Sequence, residues 1–446
     1  MSLAEALRAV AEAAPAPTLE HFRRDLDPAW IEDALAATGT ATLRRRRLPA
    51  EQVVWLVLGM ALYRDRSVVE VAAALDLALP GARGPTAAPS AVSQARTRLG
   101  PDPLAWLFGR CAAAWAPPSA GAHRGRGLAL YGVDGTTLRV ADSPANRAHF
   151  GGQAAGAGRG ESGYPLARVV ALMALRSHLL AAVEFGPYTT DERRYAAALW
   201  PAVPDDSLTV VDRNFLAAGT LVPLAAGGAN RHWLVRAKAN TRTTPVARLG
   251  EGDTLVELAV SREARRTDPT LPAVWRARAL TYRRAGHAPQ VLLTSLLDPA
   301  RYPAAEVVAL YHERWELELG YDELKTELLE REEALRSQSP AAVAQELWGV
   351  LLAYNLVRLE MARAADALRV APTRISFVGA LRLIRDEWLW STYAAPGAIP
   401  RHLARLRDAL ARLVLPQRRP ERVYPRAVKL KMSPYPRKRP PPATPK

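Results

Sequence analysis

Hydrophobic positions in the first quarter of the chain recur at helical spacing. Segment 48–75 contains two helix-length apolar patterns, and polar residues near 64–67 separate them. Apolar residues that recur every three or four positions are typical of amphipathic helices. The stretch 18–116 therefore predicts a domain of helices joined by turns, and no residue in it stands out as catalytic.

The pattern changes from helices to strands at about residue 128. Short apolar runs bounded by turn residues are typical of buried strands. The predicted strands are 128–140, 168–175, 179–185, 208–215 and 232–238, with a helix at 191–200. Three strands, a helix, a strand, a helix or turn and a further strand is the order of a ribonuclease-H-like fold. We therefore predict an α/β catalytic domain over residues 126–331.

Further segments interrupt and follow this domain. Strand-like runs between 254 and 297 predict a β-rich insertion over about 239–298. Helical patterns at 340–365, 374–390 and 400–414 predict a helical C-terminal region over 332–416. The last part, 417–446, is a basic Pro-rich tail, and from 422 onward it contains eight Lys or Arg and no acidic residue. Such a composition predicts a segment that stays extended or disordered until it binds a partner.

Segment 306–331 is predicted to be the helix that closes the catalytic domain. It contains no Pro and one Gly. On a wheel of about 100° per residue, one face is apolar and is formed by Leu310, Leu317, Leu324 and Leu328. The adjoining stripe is polar and is formed by Tyr311, Arg314, Glu318 and Lys325. The stripe alone is equally typical of a solvated face, because Arg314 and Glu318 are an i,i+4 pair.

Two aspartates lie within or directly after predicted apolar strands. Asp134 follows Val133, and Asp212 follows Val211. A carboxylate in apolar surroundings is costly unless it binds something, although an Asp in a turn after a strand is common. In ribonuclease-H-like enzymes an Asp on the first strand, an Asp ending the fourth strand and an acid on the late helix form one cluster. Asp134, Asp212 and Glu318 have this order, and their hard oxygen atoms suit Mg²⁺ or Mn²⁺.

Composition indicates the class of partner. The chain has 60 Lys and Arg against 44 Asp and Glu, a net charge of +16 and a pI of about 10.3. These values favour a polyanion, and nucleic acid is the first candidate. A membrane surface is the rival, but no lipidation signal, secretory signal or membrane-length apolar run is evident. With a single cysteine, Cys111, an internal disulfide framework is excluded, and we expect a soluble cytoplasmic protein.

The spacing Tyr-x2-Arg-x3-Glu-x6-Lys, formed by Tyr311, Arg314, Glu318 and Lys325, resembles the signature of insertion sequence 4 family DDE transposases. The segments VDGTTLRVADSPANRAHFG and VVDRNF resemble the same family around its first and second Asp. The text of the helical N-terminal part is also similar to the domain that accompanies this family. The resemblance covers most of the chain, from about residue 42 to Lys325.

The resemblance implies an enzyme that cuts DNA at transposon ends and joins them to target DNA. It implies that Asp134, Asp212 and Glu318 are the catalytic, metal-binding carboxylates. Two Mg²⁺ ions per site, for which Mn²⁺ can substitute, would activate water and stabilise the leaving oxygen. Arg314, Lys325 and Tyr311 would then bind DNA phosphates. By the same resemblance we expect double-stranded DNA as the partner, both as terminal inverted repeats and as target, and a homodimer on paired ends.

The N-terminal domain is interpreted as DNA-binding. A run of four basic side chains precedes its apolar pattern, and we expect it to contact phosphates. These residues are Arg44, Arg45, Arg46 and Arg47. A solvated helix end is the alternative for this run.

One position departs from the family pattern. The best-known cut-and-paste relative carries a base-stacking aromatic residue in the insertion, and at the matching place this chain has Gln290. Trp275 or Trp233 is a possible substitute, although a Trp in a strand is more often part of a core. Two alternatives to an active transposase also stay open. One is a catalytically silent DNA-binding protein derived from such an enzyme, and the other is a ribonuclease-H-like nuclease without strand transfer.

Overall fold

The computed structural model of the chain describes eight segments. They are 26–41, 48–75, 88–153, 163–284, 288–330, 334–391, 405–406 and 408–416. The four arginines at 44–47 and the basic tail at 417–446 lie outside the described residues. The chain up to Val414 forms one compact unit.

The N-terminal part is helical, as predicted. Its helices are α1 (Pro28–Ala37), α2 (Ala50–Leu62), α3 (Val68–Ala74), α4 (Pro89–Leu99) and α5 (Asp102–Ala122). The polar break predicted near 64–67 is where α3 begins. There Ser67 Oγ accepts from Glu70 N at 3.2 Å while Ser67 N donates to Glu70 Oε2 at 2.7 Å. This reciprocal capping box satisfies two backbone donors that a helix start otherwise leaves without partners.

The central part is a mixed α/β region built around one sheet. In chain order its elements are β1 (Ala129–Arg139), α6 (Pro144–Phe150), β2 (Leu166–Ala174), β3 (Leu180–Pro187), α7 (Glu192–Leu199), β4 (Ser207–Val211), α8 (Ala218–Ala226), β5 (Arg231–Arg236), β6 (Thr244–Gly250), β7 (Asp253–Ala259), α9 (Arg262–Thr267), β8 (Val274–Tyr282) and β9 (Gln290–Thr294). The strand order is β3-β2-β1-β4-β5-β9-β8-β7-β6. β1, β2 and β3 are antiparallel neighbours, whereas β4 and β5 run parallel to β1. This is the predicted ribonuclease-H-like arrangement.

The β-rich insertion extends the same sheet. β9 pairs antiparallel with β5, and β8, β7 and β6 continue outward from it. One predicted strand is shorter than expected, because β4 ends at Val211 and a 3₁₀ turn, Arg213–Phe215, follows it. Asp212 therefore lies directly after the strand.

Side chains of the central strand alternate between two cores. Leu130 and Leu138 point into a core shared with the N-terminal and late helices, whereas Tyr131 and Val133 point into a second core on the α7 side. Period-2 alternation of a strand places Asp134 on the same face as Leu130 and Leu138. The late helices cover that face.

The late part of the chain is helical but differs from the prediction. Instead of one helix over 306–331, the structure has α10 (Ala304–His312), α11 (Trp315–Asp322) and a π-helical turn, Glu323–Leu328. α12 (Pro340–Leu368) and α13 (Phe377–Ser391) follow. Part of the helix predicted at 400–414 falls outside the described residues.

The long helix α12 lies between the N-terminal helices and the sheet. It packs against α2 and α5, and most of its side chains are buried. Its Asn355 protects the sheet edge, because the side-chain amide bonds both Leu180 N and Leu180 O at 2.9 Å. An edge strand that is paired in this way offers fewer free backbone groups to other chains. Among the described helices, none has the length and apolar character that crossing a membrane requires.

Candidate active site

Asp134 and Asp212 lie side by side on parallel strands. Val133 of β1 pairs with Val211 of β4, so the two aspartates are the next residues along each strand. Neighbouring strands are about 4.8 Å apart. The register therefore brings two carboxylates together at the centre of the sheet.

A glycine allows the late helix to approach this strand closely. A β-carbon at Gly132 would lie 2.7 Å from Leu317 Cδ1, so any larger residue would push α11 away from the sheet. Gly132 lies two positions before Asp134 on the same face of β1. Because Leu317 is seated there, the next residue of α11, Glu318, is held beside the strand that bears Asp134.

Arg314 joins Glu318 to Asp134. Its Nη2 donates to Glu318 Oε1 at 2.7 Å, and its Nη1 lies 3.7 Å from Asp134 Oδ2. The i,i+4 contact expected from a continuous helix is thus present, although α11 begins only at Trp315. One guanidinium therefore stands between two of the three predicted catalytic carboxylates.

A fourth carboxylate, Glu192, approaches from the other face of the sheet. A β-carbon at Gly135 would collide with Glu192 Oε1, so the glycine leaves room for this side chain. Burial raises the pKa of Asp134 to about 6; the Gly135 N–H, which donates to Oδ1 at 2.8 Å, opposes this, and the charge of Glu192 adds to it. Burial also raises the pKa of Glu192, Arg168 opposes the rise, and the charge of Asp212 adds to it. Asp134 therefore has two carboxylates, Glu192 and Asp212, and one guanidinium, Arg314, acting on it.

Glu192 is not among the site residues predicted from the sequence. Its only sequence signal is an acidic residue in the first turn of a predicted helix, directly after Asp191. Acidic residues are common at helix N-termini for purely structural reasons. Proximity to Asp134 becomes evident only from the packing of α7 on β1.

The other residues of the predicted signature lie around the same carboxylates. Tyr311 is buried, and its burial raises the pKa of the phenol. The charge of Arg314 opposes this rise, and the charge of Asp212 adds to it. Lys325 Nζ donates to Thr136 Oγ1 at 3.2 Å, two residues along β1 from Asp134. Burial lowers the pKa of Lys325, and Arg139 adds to that effect. The polar stripe predicted on one helix therefore faces β1 and β4.

An ionic network supports α11 and the π-helical turn on their buried side. His178 Nε2 lies 2.8 Å from Glu316 Oε2, and His178 Nδ1 lies 3.1 Å from Glu323 Oε2. Glu323 also accepts from Tyr354 at 2.9 Å and contacts Arg358 at 3.5 Å. Burial would raise the pKa of Glu323, but Arg358 and His178 outweigh it and lower the pKa to about 2. These contacts span the residues on both sides of Glu318.

The two tryptophans weighed for base stacking belong to the core. Trp233 and Trp275 are 2% and 9% exposed, and their rings pack against each other at 5.1 Å. Gln290 accepts from Tyr282 at 3.0 Å, and the Tyr282 ring lies 5.6 Å from His312. Neither tryptophan is available at the surface for a nucleic-acid base.

The oxygen donors fit a hard divalent cation, and Arg314 already places a positive group between Asp134 and Glu318. Within the described residues, however, no three His, Cys, Asp or Glu side chains converge closely enough to hold an ion as they stand. The donor chemistry is therefore suitable, and the Arg314 guanidinium contacts two of the three predicted donors.

Comparison with known proteins agrees with the fold and the signature. The chain matches the families described as insertion element 4 transposase N-terminal, over residues 17–109, and transposase DDE domain, over residues 129–356. It is 40% identical over 412 residues to the transposase InsG for insertion sequence element IS4 of Escherichia coli K12, covering 92% of each chain. It is 35% identical over 232 residues to the putative transposase InsZ of the same strain, covering 51% of this chain and 74% of that one.

A solved synaptic complex of piggyBac transposase with hairpin DNA superposes with a TM-score of 0.44 and 12% identity, covering 90% of this chain and 86% of that one. The chain belongs to the insertion sequence 4 family of DDE transposases and is by that membership a polynucleotidyl transferase.

Proposed function

We propose that Asp134, Asp212 and Glu318 are the catalytic carboxylates with which this transposase cuts the ends of its element and joins them to target DNA. The observation that carries the proposal is their placement by three separate elements. β1 and β4 put the two aspartates side by side, and α11 brings Glu318 within reach of the same guanidinium as Asp134. Asp134 and Glu318 are distant in the chain, and the fold brings both to one guanidinium, that of Arg314.

In the first step water adds to the phosphorus at the element end. The bond from phosphorus to the 3′ oxygen breaks, and a 3′-hydroxyl is released. In the second step that hydroxyl attacks a target phosphorus and displaces a target 3′ oxygen. When bound, two divalent cations, Mg²⁺ or Mn²⁺, would supply activation of the attacking oxygen and stabilisation of the leaving one. Asp134, Asp212 and Glu318 would hold these ions.

The cationic and phenolic groups of the site are suited to hold DNA phosphates. Arg314 and Lys325 are both partly buried beside the carboxylates, where a charge-assisted bond to phosphate is stronger than in water. Tyr311 can donate one further hydrogen bond. These groups would hold the backbone at the cut end and orient the scissile bond without reading the sequence.

The proposed partner is double-stranded DNA, as terminal inverted repeats and as target. The net charge of +16 favours a polyanion. Arg44, Arg45, Arg46 and Arg47 and the tail at 417–446 would add contacts to the backbone. We further propose that a homodimer acts on paired ends in the nucleoid.

The test uses the purified full chain and duplexes that carry the ends of the flanking element. Wild type should cut and join them in Mg²⁺ or Mn²⁺, whereas Glu318→Gln should bind them and give at least 10³-fold less product. Glu327→Gln is the matched control, because it changes a carboxylate in the π-helical turn that follows α11 and should keep activity within about threefold. Binding without reaction by wild type would favour a silent DNA-binding protein, and cut but never joined products would favour a nuclease.

A further inference from the structure

The triad has one cationic partner among the described residues, and that partner is Arg314. Its guanidinium contacts Glu318 Oε1 at 2.7 Å and Asp134 Oδ2 at 3.7 Å. Lys325, the other cation of the signature, bonds Thr136 instead. Arg168 acts on Glu192 only at longer range, since it donates to Tyr188 O at 3.0 Å and stacks over the Tyr188 ring.

Carboxylates outnumber cations at this place. The negative charges of Glu192 and Asp212 both act on Asp134. Among the described residues, no basic side chain lies within ion-pair distance of Asp212 or Glu192. Arg314 therefore acts as the single close counter-charge of an excess of carboxylates, and its removal leaves a strongly negative gap.

Arg314 and a divalent cation would compete for the same oxygens. The guanidinium lies between Asp134 and Glu318, and nowhere among the described residues do three His, Cys, Asp or Glu side chains converge on a point that could hold an ion. A metal ion needs several oxygen atoms at about 2.0–2.6 Å. It cannot reach such a set of oxygens while a second positive group stands between two of them.

A DNA phosphate offers Arg314 an alternative partner. The Arg314 side chain is 21% exposed, so one edge of it faces solvent. Arginine binds phosphate in the same forked geometry with which it binds a carboxylate. DNA at the site can therefore draw Arg314 from its carboxylates at little net loss of hydrogen bonding.

We propose that Arg314 is an internal counter-ion that keeps the metal site closed in the DNA-free protein, and that a DNA phosphate opens the site by taking Arg314 over. This inference rests on the proposed function and adds its regulation. Linkage makes the effect reciprocal: DNA raises the affinity for the metal, and the metal raises the affinity for DNA by the same factor. Hydrolytic chemistry is then restricted to the protein that holds DNA.

The experiment measures Mn²⁺ binding by electron paramagnetic resonance on the full chain, alone and with a duplex that ends at the already cut element terminus. For wild type we expect Mn²⁺ to bind about tenfold more tightly with DNA than without it. Arg314→Met should bind Mn²⁺ about tenfold more tightly than wild type when DNA is absent. In that variant DNA should add less than about threefold.

Arg139→Met is the matched control, since it removes one positive charge close to Lys325 from an exposed residue at the end of β1, without touching the triad. It should retain the tenfold effect of DNA on Mn²⁺ binding, and Arg314→Gln replaces Arg314→Met if the latter does not fold. DNA-free Mn²⁺ affinity in Arg314→Met equal to wild type would overturn the counter-ion role. Loss of coupling in Arg139→Met to the same degree would also overturn it, because any nearby cation would then suffice.

Failure of this inference and failure of the proposed function give different results. If wild type cuts element ends and Asp134→Asn does not, but the Arg314 variants bind Mn²⁺ as wild type does, only the counter-ion role is lost. If wild type neither binds Mn²⁺ with DNA nor cuts, the proposed function itself is contradicted.

Discussion

Asp134 lies in the middle of β1, among residues that are mostly apolar, with incomplete compensation of its charge. Arg314 is 3.7 Å away, whereas Glu192 and Asp212 add negative charge from two sides. Such a position is costly in the DNA-free, metal-free protein. Costly positions of this kind are frequent where a charge is needed for chemistry.

Asp134→Asn should stabilise the metal-free protein at neutral pH. The folded-state pKa of Asp134 is raised from 3.8 to about 6, so the native state binds its proton more tightly than the unfolded chain does. The stability that this proton provides is complete below pH 3.8 and is lost as the pH rises through about 6. Asn carries no charge, so the free energy of unfolding of the variant should exceed that of wild type by about 3 kcal/mol at pH 7 and be nearly the same at pH 4.

Urea unfolding with a chelator present, monitored by circular dichroism at both pH values, measures this difference. Asp142→Asn is the control, because Asp142 is exposed and lies on the same chain segment after β1. A variant less stable than wild type at pH 7 would mean that Asp134 is compensated by its neighbours.

For single residues, the sequence is informative where a polar side chain interrupts an apolar segment. Asp134 and Asp212 each follow a valine in or at the end of an apolar run. A charged side chain conflicts with an apolar run, and this conflict predicts a function for both. Glu192 does not conflict with its surroundings, because an acid in a first helical turn is ordinary. Its approach to Asp134 depends on Gly135 and on the packing of α7, which no local pattern encodes.

The late helical segment shows what tertiary contacts add at the scale of an element. Segment 306–331 contains no Pro, and its sequence predicts a single helix. The prediction of one unbroken helix is wrong, because the structure divides the segment into α10, α11 and a π-helical turn. Glu313, at the break, is held by Arg176 Nε at 2.8 Å and Nη2 at 2.6 Å. Beyond the break, His178 is bonded to both Glu316 and Glu323. Partners from the β2–β3 turn thus anchor several points of the segment, and they are distant in sequence.

Glu323→Gln should destabilise the protein strongly. The folded-state pKa of Glu323 is lowered from 4.5 to about 2 by Arg358 and His178 despite burial. Its contribution to stability is present above pH 4.5 and is lost as the pH falls toward 2. We expect the free energy of unfolding to fall by roughly 3 kcal/mol at pH 7 and the loss to shrink by pH 3.

Urea unfolding at pH 7 and pH 3 tests this expectation. Glu327→Gln, in the same π-helical turn, should change the free energy of unfolding by no more than about 0.5 kcal/mol. Equal effects of the two substitutions at pH 7 would show that the network around His178 does not stabilise the turn.

For the whole molecule, the predicted helical N-terminal part is present, but its attachment to the rest could not be predicted. Arg64 Nη1 contacts Glu346 Oε1 of α12 at 2.5 Å, and both side chains are fully buried. Tyr63 also donates to Arg385 O at 2.7 Å. An Arg in a polar turn is usually solvated, so nothing in the sequence indicates that Arg64 is buried and pairs with Glu346. The four domain ranges drawn from the sequence stay a prediction.

Arg64→Met should therefore weaken the whole unit rather than release a separate N-terminal domain. The substitution removes the ion-pair partner of the buried Glu346, which costs about 3–5 kcal/mol. We expect one cooperative urea transition at a lower midpoint, followed in parallel by tryptophan fluorescence and circular dichroism. Arg66→Met in the same turn is the control, because Arg66 is half-exposed and stacks on Tyr63 at 5.1 Å. Two separate transitions in Arg64→Met would mean that the N-terminal helices fold as a domain of their own, to which the active site is only tethered.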